Sequence, residues 1–281
     1  MIPLPFPHPD LEVAVGAVLA ASQAILAIYE QGFDVAFKPG QEPVTQADRL
    51  ADRLLVEALH AAFPGDAILS EEQGLQHRQA QPEQRVWFID PIDGTKEFIK
   101  RNGEFAIQVG AARAGRLELG IICQPTAQRW WVGVHGHGCH TRQGDQAWQH
   151  VRLPARQGPP ILALSRSHPS ARALQLAARL GSKQQLARGS VGLKLMAIAA
   201  GEAHFYLNDS NSTKAWDLAA PELLFTEAGG MVTDQRGRPF VYDPARPHHE
   251  AGLLATADGD LHRQILDLLA SLPHTPADRS A

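Results

Sequence analysis

Cysteine is scarce in this chain of 281 residues: Cys123 and Cys139 are the whole complement, they stand far apart, and no Cys-x-x-Cys spacing occurs. That excludes a secreted disulfide scaffold and a thioredoxin-like redox centre, and it fits a reducing cytosol. Runs of lysine and arginine are also lacking, and the formal net charge is −4. Broad nucleic-acid binding needs a basic footprint to displace counterions, so no nucleic-acid partner is expected. A small anionic ligand needs no such footprint. The segment Met1 to Pro7 has no basic region leading into an apolar core, and no apolar stretch reads as approaching the ~20 residues of a spanning helix. The expectation is a cytoplasmic protein with no stable membrane insertion, peripheral association at the inner membrane being compatible with it. No internal repeat is present.

What is present is enough apolar material for a large core. With 44% hydrophobic residues, a chain of this length buries roughly three quarters of its unfolded surface. Leu11, Val15, Val18, Ser22, Ile25, Leu26 and Tyr29 recur at helical spacing, predicting a first helix closed by Gly32. Phe33 to Lys38 reads as a strand, Pro39-Gly40 as a turn, and Gln46 to Phe63 as a helix with Leu50, Leu54, Leu55, Leu59 and Phe63 inward. A polar loop, His77 to Gln84, follows, placed to move over a site. Glu104 to Arg113 and Arg116 to Cys123 read as a hairpin across Ala114-Gly115, and Arg129 to Val134 as a further strand. Beyond Leu153, prolines 154, 159 and 160 mark a boundary. Strand and helix patterns then alternate: Ile161 to Leu164, Ser170 to Leu180, Ser190 to Ala200, Ala203 to Leu207, and a helix from near Lys214 to Ala228. The tail from Pro273 is polar and expected to fray. The pattern predicts α/β or α+β, with units at about 1–155 and 156–281.

The chemistry concentrates in Trp87-Phe88-Ile89-Asp90-Pro91-Ile92-Asp93-Gly94-Thr95-Lys96-Glu97-Phe98. Val86 to Ile89 reads as a buried strand, Pro91 and Gly94 punctuate a turn, and Thr95 opens a helix. Two hard carboxylates therefore flank a helix start, where oxygen donors suit magnesium and free N–H groups suit phosphate. Gly94, lacking a Cβ, lets backbone approach a ligand closely. Ser70-Glu71-Glu72 precedes this element, Trp216-Asp217 follows it, and Val44-Thr45-Gln46-Ala47-Asp48 opens the second helix.

These four segments, in this order from about Leu11 onward, resemble the signature of the magnesium-dependent, lithium-sensitive phosphomonoesterases related to inositol monophosphatase. Lys96-Glu97-Phe98, Ile99 to Phe105, Ser165-Arg166-Ser167-His168, Gly189 to Lys194 and Thr213 to Glu222 are similar to the 3'(2'),5'-bisphosphate nucleotidase branch of that superfamily. Departures are Gly192, where many of that branch have serine, and Leu218, where threonine is usual. The first leaves the nucleotide contacts open.

The resemblance implies a layered αβαβα sandwich of the inositol monophosphatase and sugar phosphatase type. It also implies two magnesium ions, with room for a third. Glu71, Asp90 and the carbonyl of Ile92 would hold one, and Asp90, Asp93 and Asp217 the other. Thr95 would orient a water, with Asp48 accepting its hydroxyl proton and Glu71 assisting, and Gly94 would help cradle the phosphate. His168, Ser190 and Lys194 would meet a phosphorylated nucleotide, a small-molecule partner, with Lys96 and Arg101 adding charge. The expected reaction is removal of the 3'-phosphate of adenosine 3',5'-bisphosphate. The alternatives are an inositol monophosphatase-like activity and a non-catalytic nucleotide-binding homologue. Relatives are monomers or dimers, so a homodimer is the leaning.

Each motif also has a structural reading. Thr45-x-x-Asp48 is a capping box; His168, before Pro169, is placed to cap a helix; Lys194 would sit on a solvated helix face; Trp216 would pack and fix Asp217. Strand alternation would send Glu71 and Glu72 to opposite faces, and the resemblance selects Glu71. His135, His137 and Cys139 are zinc-type residues on one strand face, but three ligands on one extended strand span too far to close a tetrahedron.

Overall fold

The computed structural model describes residues 2–38, 42–76, 83–210 and 213–271. The expected turn at Pro39-Gly40, most of the polar loop from His77, and the tail from Pro273 lie outside them. Helix α1 (Pro9–Gln31) ends at Gly32, whose φ of 102° suits glycine and whose N–H donates to the Ile28 carbonyl at 3.0 Å. A short antiparallel ribbon, β1 (Val35–Phe37) and β2 (Pro43–Thr45), leads into α2 (Gln46–Ala62).

One expectation is corrected here. Helix α1 is 23 residues long and contains an 18-residue window of mean hydropathy 2.0, so it is long and apolar enough to cross a membrane. Its periodic face is nevertheless spent on the protein core, where Leu11, Val18 and Ile25 are fully buried.

The larger sheet comprises β3 (Ala67–Ser70), β4 (Gly74–Gln76), β5 (Arg85–Asp93), β6 (Ala106–Arg113), β7 (Arg116–Gln124), β8 (Arg129–Val134), β9 (Cys139–Gln143) and β10 (Gln149–Val151). Their order is β10-β9-β8-β7-β6-β5-β3-β4; β3 and β5 run parallel and the other neighbours antiparallel. A one-turn helix, α3 (Thr95–Ile99), follows β5. The smaller sheet holds β11 (Leu162–Ser165), β12 (Gln185–Arg188), β13 (Phe205–Asn208), β14 (Met231–Thr233) and β15 (Leu253–Thr256), ordered β12-β11-β13-β15-β14. Helices α4 (Ala171–Arg179), α5 (Val191–Ala199), α6 (Ala215–Glu227) and α7 (Gly259–Ser271) complete the described chain.

Helices α1 and α2 cover one face of the large sheet, α5 and α6 fill the space between the sheets, and α4 and α7 cover the outer face of the small one. The result is the αβαβα sandwich of an α/β (α+β) fold. Helix α6 sits directly on strand backbone. A Cβ at Gly110 would lie 2.8 Å from both Ala219 Cβ and Ala220 N, and one at Gly120 2.9 Å from the Ala220 carbonyl oxygen. Two glycines thus set the depth of the helix that brings Asp217.

Candidate active site

The second helix begins with Thr45, whose N–H donates to Asp48 Oδ2 at 2.7 Å and whose hydroxyl donates to the same oxygen at 2.6 Å. The other oxygen, Oδ1, accepts from the Thr95 hydroxyl at 3.2 Å. Asp48 thus caps α2 through one oxygen and presents the other to Thr95, so the cap does not exclude the expected partnership of the two side chains. Burial pushes the Asp48 carboxyl up, while the hydrogen bonds from Thr45 pull it down.

Thr95 stands there because β5 runs on through Asp93, further than the expected turn at Pro91, with a bulge in its pairing to β6 between Asp90 and Asp93. The bulge breaks strict alternation, so Asp90, Ile92 and Asp93 crowd the strand end. Asp90 Oδ1 accepts the Ile92 N–H at 3.0 Å. Gly94 then takes φ 102°, and a Cβ there would lie 3.1 Å from the Glu104 carbonyl oxygen. The Thr95 hydroxyl also lies 3.3 Å from the Ile92 carbonyl.

Asp217 arrives by a second capping arrangement, accepting the Lys214 N–H at 2.7 Å from the third position of α6. Burial raises the Asp90 carboxyl well above the ordinary range, and Glu71, Asp93 and Asp217 push it further. Asp217 is likewise raised by burial and then by Glu71 and Asp93. Asp93 is raised by burial, against the pull of Lys194, Ser190 and the Gly192 N–H. Mutual repulsion among buried carboxylates with hard oxygen donors is the electrostatics a divalent cation relieves. The residues present therefore fit such an ion: Glu71, Asp90, Asp93, Asp217 and the Ile92 carbonyl.

Among the described residues no three His, Cys, Asp or Glu side chains close into a metal cage. Each carboxylate is satisfied by a protein donor instead. Lys38 Nζ donates to Glu71 Oε1 at 3.0 Å and to Glu72 Oε1 at 2.5 Å. Asp93 Oδ2 accepts from Ser190 Oγ at 2.5 Å, from the Gly192 N–H at 3.1 Å and from Gln108 Nε2.

The expected separation of Glu71 and Glu72 onto opposite faces is not observed. Strand β3 stops at Ser70, so the pair lies in a turn where alternation no longer applies, and both side chains reach Lys38. Burial raises Glu72 to about 7.

In the C-terminal half Ser190 caps α5, its hydroxyl accepting the Leu193 N–H at 3.1 Å. Its φ of 55° is unusual for a residue with a side chain. Lys194 is buried, contrary to the solvated-face reading. Its Nζ donates to the Ser190 carbonyl at 2.7 Å, stands 5.0 Å from the Tyr206 ring centroid, and is lowered to about 8 by burial against the attraction of Asp93.

His168 does not cap a helix; Ser170 does, for α4. The His168 ring meets Lys96, Nε2 to Nζ at 2.7 Å, while Lys100 donates to Ser167 Oγ at 3.1 Å and Ser167 Oγ to Glu97. The Ser165–His168 segment is thereby tied to α3. Arg101 is engaged elsewhere, its guanidinium 5.4 Å from the Tyr29 ring and 5.3 Å from Phe33. Trp216 packs among Ala67, Phe88 and Tyr242. The zinc-type trio disperses: His135 faces Glu227, His137 stacks on Phe6, and Cys139 is buried in the core.

Sequence reading missed Lys38, Gln108 and Glu104. Gln108 left a signal, a polar residue inside the apolar run Ala106 to Val109; Lys38 and Glu104 left none beyond their charge.

Several comparisons bear on the whole chain. The inositol monophosphatase family profile matches residues 7–273. The 3'(2'),5'-bisphosphate nucleotidase CysQ of Escherichia coli K12 is 35% identical over 226 residues, 80% of this chain and 90% of that protein. The Salmonella typhimurium protein of the same name is 33% identical over 84% of this chain and 95% of its own. Nus factor SuhB of Pasteurella multocida is 27% identical over 82% and 86%. Among solved structures, extragenic suppressor protein suhB from Bartonella henselae superposes with TM-score 0.78 at 24% identity, covering 93% of this chain and 98% of that one. An inositol monophosphatase from Anabaena gives 0.75 at 24%, covering 94% and 96%.

Proposed function

This chain belongs to the inositol monophosphatase family, and on that premise we propose that it is a cytoplasmic, magnesium-dependent phosphomonoesterase that converts adenosine 3',5'-bisphosphate to AMP and phosphate, a step of sulfur metabolism. The observation that carries the reading is the joining of a four-carboxylate site to a buried lysine, Lys194, beside Asp93. The extent of the match to the two CysQ proteins supports it.

Glu71, Asp90, Asp93, Asp217 and the Ile92 carbonyl would hold two or three magnesium ions, which when bound supply positive charge to a phosphoryl group and its attacking water. The chain's own part begins at Thr95. Its single hydroxyl proton is directed to Asp48 Oδ1 or the Ile92 carbonyl, leaving oxygen lone pairs free to accept from a water. Asp48 is fixed by Thr45, so the acceptor does not drift. The N–H groups of Gly94 and Thr95, at the start of α3, have no intrahelical acceptor and would meet phosphoryl oxygens. Ser190 and Lys194 would bind the phosphate that is not cleaved, and His168 would contact the adenine. A homodimer is compatible with all of this.

The second reading, inositol monophosphate hydrolysis, uses the same carboxylates and is the activity that names the family whose profile matches residues 7–273. Replacing Lys194 with Gln separates the two. For a bisphosphate nucleotidase, KM for the nucleotide rises by about tenfold, the loss of one charge-assisted contact, with a smaller effect on a monophosphate. Equal effects on both substrates would favour the second reading.

A further inference from the structure

Beside Glu104 a cavity of about 260 Å³, with Asp93 not among its lining residues, opens between the ends of β7 and β8 and helix α5. This is just under the ~300 Å³ at which small-molecule sites begin. Trp131, Leu193 and Met196 give it an apolar floor, and Arg129, Arg188 and Glu202 stand on its walls.

The charges there are unevenly matched. Arg188 reaches Glu104 at 3.3 Å and Glu202 at 3.2 Å, and Glu104 also accepts from Nε and Nη2 of Arg166, at 2.6 and 2.7 Å. Both carboxylates are therefore neutralised without Arg129. Among the described residues the Arg129 side chain has no carboxylate or carbonyl partner; the residue is half-buried and its guanidinium lies 4.7 Å from the Trp131 ring centroid. A guanidinium held over an indole keeps its remaining N–H donors available as a planar fork, the geometry that receives two oxygens of one oxyanion.

We propose that this cavity binds a small molecule bearing an oxyanion, phosphate or carboxylate, on Arg129, with its apolar part against Trp131 and Met196. The inference does not rest on the reaction proposed above, since Arg129 touches none of the residues assigned to it.

Isothermal titration calorimetry of the full chain with inorganic phosphate and with malonate, no magnesium added, tests it; the carboxylate site then repels anions. One binding event is expected that survives Asp90→Asn and weakens at least about tenfold in Arg129→Gln. Arg129→Lys, which keeps the charge and loses the fork, should fall between and serves if the glutamine variant folds poorly. Tighter phosphate assigns a phosphorylated ligand, and tighter malonate a carboxylic acid. An isotherm that Arg129→Gln leaves unchanged, or no heat from either anion at high millimolar concentration, overturns the proposal. Turnover and Tm unchanged in Arg129→Gln confirm that the fold and the catalytic side are intact.

Discussion

At the scale of single residues the site is a concentration of like charge held in place by borrowed donors. Asp90 shows this most plainly, being buried and raised first by burial and then by three neighbouring carboxylates. Asp90→Asn should lower turnover by a factor on the order of 10³ or more, some 4 kcal/mol of barrier. The same change should leave Tm unchanged or higher, because the carboxamide removes the repulsion; paired kinetics and thermal melts check both. Gly94 is constrained from two directions, by a positive φ and by the Glu104 carbonyl. Gly94→Ala should cost about 1–3 kcal/mol in urea unfolding and reduce activity as well. Asp90, Asp93 and Thr95 stood out as candidates because carboxylates beside glycine and threonine at a strand end have few other uses, whereas Asp217, at a helix start, was reached only through the family likeness. Lys38 was not, because its role depends on a ribbon folding back onto the turn after β3, a tertiary event with no local spacing.

At the scale of elements the site is built from helix beginnings. Asp48 and Asp217 each occupy the third position of a helix and accept the N–H of the residue before it. The remaining oxygen of Asp48 is thereby aimed at Thr95. Thr45→Ala should therefore do two things: lower stability by about 1 kcal/mol through the lost cap, and reduce kcat more than that loss explains, because Asp48 is freed. Circular dichroism melts and kcat on the same preparation check the pair. Helix α6 depends on two glycines in strands beneath it, and Gly110→Ala should displace Asp217 without touching it. The expected outcome is a lower Tm together with weaker magnesium activation. The helices were readable from their 3.6-residue period and end signals, Gly32 and Gly229-Gly230 among them. The Glu71–Glu72 turn was misread because β3 stops one residue earlier than alternation assumed, and alternation carries no information past a strand's end.

At the scale of the whole molecule two sheets and three helical layers bring carboxylates from residues 71, 90, 93 and 217 to one place, and the buried histidines tie stability to pH. Burial, aided by His248, lowers His249 to about 4 from an ordinary value of 6.5. The unfolded chain therefore takes up this proton first. The stability contributed is whole above about pH 6.5 and is lost as pH falls towards 4. Burial likewise lowers His204 and His262, which add to the same slope. His249→Phe, packed against Phe240 and Tyr242, should flatten the fall in Tm across that window. The layered architecture was only partly visible in advance, since pattern alone supports α/β or α+β and the order of layers came from family likeness. The measurement that tests the account most directly is the initial rate of magnesium-dependent phosphate release from adenosine 3',5'-bisphosphate beside inositol 1-phosphate at equal enzyme. The account predicts a nucleotide preference of at least about tenfold in kcat/KM, 1.4 kcal/mol in the transition state; equal rates, or a preference for the inositol phosphate, would contradict it.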